Sequence, residues 1–228
     1  RVYDIKNAGP RHRYTVSGVL VHNCGYGGGV NALKAFGADK MGLSDEEMQE
    51  IVDNWRESSP KIVELWRALE KAAIRCIVRR ASTVSTLGNV RFDFESGILW
   101  MTLPSGRRLA YYGAKYEETK FHPDRKSLTY MGVNQMTKRW ERVETWGGKI
   151  TENLVQATAR DVLREAMFSL TEKGWDIRAH VHDECICTEP IGGKTVEQMC
   201  KAMCPDIPWA EGLPLNADGY DGPYYFKD

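Results

Sequence analysis

The sequence predicts an α+β fold, and three observations carry that expectation. Apolar residues recur at spacings of three and four in stretches that open at Ser44, at Ser59 and across 151–172. Between the second and third of these, over 83–130, the pattern changes to short alternating runs broken by glycine and proline. A second alternating stretch, 176–189, follows the last long helical pattern.

Composition bounds what such a chain can be. Its 228 residues can hold one large domain or two small ones, and 42% hydrophobic content supplies a core. With 31 basic and 31 acidic residues there is no global attraction to nucleic acid, so any such binding must come from local patches. No apolar run approaches the roughly 18 residues of a membrane span, and the start lacks a signal-peptide pattern. A cytosolic location is expected. The sequence begins at Arg1 rather than Met, which suggests a fragment or a processed product. The cysteines at 24, 76, 185, 187, 200 and 204 form no CxxC pair, and buried reduced thiols are expected of them.

Taken in order, the chain opens with two short alternating runs, Tyr14 with Val16 and Val19 with Val21, around Ser17-Gly18. They predict two short strands and a turn. The chemistry changes at Val21-His22-Asn23-Cys24. The Asn23 side-chain amide can attack its own backbone carbonyl, closing a succinimide and breaking the bond to Cys24. His22 can donate to that carbonyl as a general acid. Cys24 can accept an acyl group on its thiol and pass it to its own amine.

Val2-Tyr3-Asp4-Ile5, Gly9-Pro10-Arg11-His12-Arg13-Tyr14-Thr15-Val16 and Gly18-Val19-Leu20-Val21-His22-Asn23 together resemble the two C-terminal blocks of inteins, joined to a cysteine as first residue of the C-extein. The resemblance covers 1–23 and implies that this segment is a C-terminal intein piece, that 24–228 is its C-extein, and that Asp4 and His12 assist as acid/base residues. Two strands and a turn with no chemistry fit the same alternation.

Cys24-Gly25-Tyr26-Gly27-Gly28-Gly29 lacks the Gly-Lys-Ser/Thr ending of a phosphate loop. Close backbone approach and a turn into a helix over 30–36 are expected instead. Ser44-Asp45-Glu46-Glu47 is a capping box that opens a helix carrying Met48, Ile51, Val52 and Trp55. Ser59-Pro60 is expected to cap the next, whose apolar stripe is Ile62, Trp66, Leu69, Ala73, Cys76 and Ile77. Lys71, Arg75 and Arg79 occupy another side, a solvated face or one that tracks a phosphate backbone. Over 83–130, runs such as Val90, Phe92, Phe94 and Leu99, Met101, Leu103 predict β-hairpins, with a basic loop at 120–126.

The helix expected over 151–172 places Asn153, Gln156, Arg160 and Arg164 on one polar stripe, with Val155, Val162, Ala166 and Leu170 toward the core. An amide pair beside a guanidinium can donate to edges of a duplex minor groove. Two strands are then expected around His182-Asp183-Glu184. Adjacent carboxylates at a hairpin tip are costly unless they share a cation, and magnesium takes oxygen ligands from carboxylates and substrate phosphates. A helix over 195–204, opened by a Thr-x-x-Gln box, and an aromatic strand over 220–226 complete the expectation.

Cys24-Gly25-Tyr26-Gly27, Asn153-Leu154-Val155-Gln156 and Val181-His182-Asp183-Glu184, in that order, resemble the C-terminal half of a family A DNA polymerase of the phage branch. The resemblance covers 24–228 and implies the end of the fingers and most of the palm of a right-hand polymerase. Asp183 is then a metal-binding carboxylate, Glu184 its acidic neighbour and His182 a contact near the primer end. Tyr26 lies beside the incoming nucleotide, and Gln156 and Asn153 contact the minor groove. Asn153 and Gln156 are three apart, where bacterial relatives show four.

The implied chemistry is nucleotidyl transfer to a primer 3′-hydroxyl with two magnesium ions, in DNA replication. A second carboxylate ligand and the residues that grip the triphosphate are implied to come from an N-terminal intein/polymerase fragment. Primer-template DNA and dNTP are the remaining partners. The chain is expected to be inactive until joined to its N-terminal half. A non-catalytic nucleic-acid-binding module and a splicing-only relic remain as alternatives.

Overall fold

The computed structural model describes residues 14–16, 19–21, 27–35, 37–88, 90–119, 124–134 and 137–225, the first two stretches by backbone alone. The chain divides into two compact units, one of Arg1–Thr102 with Arg108–Asn153, the other of Leu103–Arg107 with Leu154–Asp228.

In the first unit, β1 (Tyr14–Val16) pairs antiparallel with β2 (Val19–Val21), Tyr14 opposite Val21. This pairing is common to the intein reading and to the plain hairpin. Gly27 follows with φ +81°, and a Cβ there would lie 3.2 Å from Trp146 Nε1, so the expected close approach is present. α1 (Val30–Ala35), a 3-10 turn (Asp39–Met41) and α2 (Asp45–Ser58) close on a small core of Leu33, Ala38, Met48 and Val52. Burying each larger member of such a cluster is worth about 1.5–3 kcal/mol. The Ser44 hydroxyl accepts from the Glu47 N–H at 3.2 Å, while the Glu47 carboxylate accepts from the Ser44 N–H at 2.8 Å. The box therefore satisfies two donors that a helix start leaves open.

α3 (Pro60–Arg79) buries Trp66, Leu69, Ala72, Ala73, Cys76 and Ile77, and Trp66 stacks on Trp55 with ring centroids 5.9 Å apart. Two details depart from expectation. Pro60 occupies the first helical position, where its missing N–H costs nothing, but the Ser59 side chain makes no capping bond. Ile62 is 37% exposed, because the first turn of α3 lies ahead of the stretch that packs.

α3 packs on an antiparallel meander whose strands follow one another in sequence order: β3 (Thr83–Val84), β4 (Arg91–Glu95), β5 (Ile98–Thr102), β6 (Arg108–Glu118), β7 (Lys126–Val133) and β8 (Trp140–Thr145). Phe92, Leu99 and Met101 are fully buried, and the Thr83 hydroxyl donates to the Ala72 carbonyl of α3 at 2.8 Å. The register between β6 and β7 shifts between Tyr112 and Lys115, a bulge. The sheet runs past the expected limit at Tyr130 to Thr145. β8 hid from the pattern because an edge strand reading Trp-Glu-Arg-Val-Glu-Thr has little apolar alternation.

α4 (Gly147–Glu172) starts four residues before the expected position. Gly147 sits where a Cβ would come 2.6 Å from the Trp66 carbonyl carbon, and its N–H donates to the Glu70 carboxylate. An acid at a helix N-terminus is favoured by the helix dipole. Val155 is 43% exposed, contrary to its expected place in the core. The buried side of α4 is Ile150 and Leu154 in its first half and Asp161, Leu163, Ala166 and Leu170 in its second, and Val155 falls outside both.

The second unit pairs β9 (Asp176–Val181) with β10 (Glu184–Thr188) and adds α5 (Val196–Met203), capped by the expected Thr195 and Gln198 box. Leu170, Trp175 and Ala202 form its core, with Ile177, Cys185, Cys187, Met199 and Met203 around them. Lys194 lies 4.8 Å from the Trp175 ring centroid and donates to the Gly174 carbonyl at 2.7 Å. The aromatic strand expected over 220–226 is not formed at 220–225, where Gly222-Pro223 interrupts the run and proline offers no N–H to a ladder. Phe226 lies outside the described residues. Of the described cysteines, all free, only Cys76 is buried; Cys185, Cys187, Cys200 and Cys204 are half-buried. Burial pushes the Cys187 thiol up to about 11, with Cys185, Asp176 and Glu189 adding to it. Among the described residues no helix is long and apolar enough to cross a membrane.

Candidate active site

β9 and β10 are joined by two residues, His182 and Asp183, with Val181 opposite Glu184. His182, the first of these two residues, has φ +52°, in the left-handed region that glycine favours. A residue with a Cβ there carries about 1–2 kcal/mol of backbone cost, so the histidine occupies a conformation that the two paired strands impose.

The tip faces solvent. His182 and Asp183 are exposed, Glu184 is half-buried, and Asp183 accepts no hydrogen bond from any described residue. Glu184 differs, since its Oε2 accepts from the Tyr225 hydroxyl at 2.9 Å. That bond, with partial burial and nearby negative charge, raises the Tyr225 phenol above its ordinary range.

On α4, Gln156 and Arg160 are exposed and make no hydrogen bond to a described residue. Burial pushes the Cys185 thiol up and the Arg160 charge offsets part of that rise, so the guanidinium lies within electrostatic reach of β10. The other two members of the expected polar stripe are engaged elsewhere. In the first unit, Asn153 Nδ2 donates to the Tyr111 hydroxyl at 3.0 Å, and burial pushes Tyr111 up to about 12. In the second, Arg164 pairs with Glu165 at 2.6 Å and lies 6.0 Å from the Phe168 ring centroid.

Four residues around this hairpin and helix have no counterpart among the sequence expectations. Arg107 Nε donates to Asp161 Oδ1 at 2.6 Å, and its Nη2 donates to the Ala157 carbonyl at 2.8 Å. The Ser105 hydroxyl donates to the other oxygen of Asp161, whose side chain is only 3% exposed. The turn at Ser105-Gly106-Arg107 is thus tied to the α4 backbone between Gln156 and Arg160. An acid on the same side of α4 as Leu154 signals a buried charge in need of a partner. That partner, 54 residues earlier, has no local signal. The fourth is Tyr225.

The donor set suits a hard cation. Asp183 and Glu184 offer carboxylate oxygens of the kind that hold magnesium, an ion that takes one or two carboxylates and completes its shell with water and phosphate. Among the described residues no group of three or more His, Cys, Asp or Glu side chains could hold a metal. The pair therefore fits part of a site rather than a closed one. Asp4, His12, His22, Asn23, Cys24 and Tyr26 lie outside the described residues.

The mixed helix and sheet architecture, with an exposed acidic hairpin, is compatible with an α+β polymerase fragment. Over 205 residues, 90% of this chain, the sequence is 43% identical to the DNA polymerase of Bacillus phage SP02. The chain spans about a third of that relative's length, 31%. No protein-family model matches the chain, and no solved structure matches it.

Proposed function

We propose that 24–228 is the C-terminal part of a phage-type family A DNA-directed DNA polymerase, comprising the end of the fingers and most of the palm, and that 1–23 is a C-terminal intein segment removed by splicing. The similarity to the phage SP02 DNA polymerase carries the polymerase reading.

In this reading Asp183, exposed and without a described partner, is the carboxylate that holds catalytic magnesium, with Glu184 beside it. The bound ions would lower the pKa of the primer 3′-hydroxyl and steady the triphosphate. His182 sits next to the primer end. Gln156 and Arg160 project donors from α4 toward the minor groove and backbone of the primer-template duplex, and Tyr26 lies by the incoming nucleotide. Asn153 is less available for the groove, because its amide is already bonded to Tyr111. The further carboxylate and the triphosphate-gripping cations come from an N-terminal partner polypeptide, to which His22, Asn23 and Cys24 join the chain with Asp4 and His12 assisting.

The test is magnesium-dependent primer extension. The chain alone should not extend a primer, and mixing it with its N-terminal partner should yield a ligated product that does. Asp183→Ala should give a ligated product of normal size with extension lost, and undiminished extension would remove the metal assignment. Asn23→Ala should leave the 1–23 segment attached, and normal ligation in that variant would remove the splicing role.

A further inference from the structure

The first unit carries a row of cations that no part of the proposed site uses. Arg67, Lys71, Arg75 and Arg79 are all exposed on α3 and line one surface groove with Glu70, Ile74 and Val78. They recur every four residues, so each stands about 6 Å along the helix and about 40° around it from the last. The row is about 18 Å long. Ile74 and Val78, the latter 64% exposed, add apolar surface that the long cationic side chains flank.

What sets these four apart is that cations without acid partners stand in one row along a single helix. Bases and acids are equal in number in this chain, and seven other arginines are paired: Arg56 with Asp53, Arg91 with Asp93, Arg107 with Asp161, Arg108 with Glu95, Arg142 with Glu117, Arg164 with Glu165 and Arg178 with Asp176. None of the four makes an ion pair or hydrogen bond to a described residue. Glu64 and Glu70 share the helix, but Glu70 is turned to the Gly147 N–H. Four like charges held in register on a rigid helix without counter-charges repel one another, and a polyanion with regularly spaced charges relieves that.

We infer that this face of α3 binds the phosphate backbone of DNA. The groove's lining holds no amide or aromatic side chain that could read or stack on a base, so the contact is independent of sequence. That the polyanion is DNA rests on the polymerase reading; the surface itself rests on the unpaired cations.

The experiment is equilibrium binding of the full 228-residue chain to a fluorescein-labelled random-sequence DNA duplex across a salt series. R67Q/K71Q/R75Q/R79Q should weaken binding at least tenfold near 0.1 M salt and flatten the log K against log salt slope by about 3.6, at about 0.9 per lost phosphate contact. K40Q/K138Q/R139Q/K201Q removes the same charge from exposed positions elsewhere and should keep the parent slope. R67K/R75K/R79K keeps the charge and should bind like the parent, which separates a binding defect from a folding one. Unchanged affinity and slope in the first variant, or an equal loss in the second, would overturn the proposal. If the α3 variant loses binding while the joined parent protein incorporates no nucleotide, the surface stands and the polymerase reading falls.

Discussion

Tyr225 and Glu184 are joined by a hydrogen bond of 2.9 Å, so the segment after α5 returns to the acidic hairpin and holds one of its two carboxylates while leaving the other free. Adjacent acids thereby take different parts. Asp183 is open to a cation from solvent, and Glu184 is oriented by a phenol.

Tyr225→Phe tests that division. The ring is 46% exposed and its loss of one hydroxyl should change thermal stability little, within about 0.5 kcal/mol. Extension by the ligated protein should fall several-fold, with the magnesium concentration for half-maximal activity moved upward, as Glu184 loses its restraint. A magnesium titration of the two proteins side by side checks this; identical curves would show that the bond plays no part in the site.

The turn residue His182 separates backbone cost from chemistry. At φ +52°, His182→Gly should keep the hairpin and raise stability by up to about 1 kcal/mol, since glycine adopts that region without a clash. If the imidazole also contacts the primer end, extension should fall while the melting temperature holds or rises. A thermal melt and a primer-extension assay on the same preparation distinguish the two effects.

Asp161 is the most consequential buried charge among the described residues of the second unit. Asp161→Ala removes the acceptor of Arg107 and Ser105 and should cost about 3 kcal/mol, the low end for breaking a buried pair. Arg107→Met combined with Asp161→Leu should recover part of that loss by leaving no unpaired charge, and only part because the Ala157 carbonyl loses its donor. Urea unfolding of the three proteins provides the comparison.

Tyr111 sets an alkaline limit. Its folded pKa is raised to about 12 by burial, above the ordinary value near 10. The folded state then holds a proton that the unfolded state releases, so the stabilisation is complete below pH 10 and is lost as the pH rises from about 10 to about 12. The slope should reach about 1.4 kcal/mol per pH unit. Tyr111→Phe should remove that slope while leaving the Asn153 amide without this acceptor. Denaturant midpoints measured from pH 9 to 12 check the sign.

The parts of the fold that were legible in the sequence are those written locally. The Ser44 and Glu47 box and the Thr195 and Gln198 box each lie within a few residues and formed as expected, and the α3 stripe did so from Trp66 to Ile77. The His182-Asp183 turn was legible for the same reason. β8 was not, because an edge strand keeps polar residues on its open side. Val155 and Ile62 were assigned to the core on periodicity alone, which marks a face but not which turn of it meets a neighbour. The ties from Arg107 to Asp161 and from Tyr225 to Glu184 join residues 54 and 41 apart, and nothing short of the folded chain brings them into view.

Gly147 holds the start of α4 against the backbone of Trp66, with no room for even one carbon between them. Alanine there would push two helices apart and loosen the grip of Glu70 on the first free amide. In a saturation library the position should therefore accept only its own residue, a constraint set by backbone touching backbone that no second-site change of side chain can relieve.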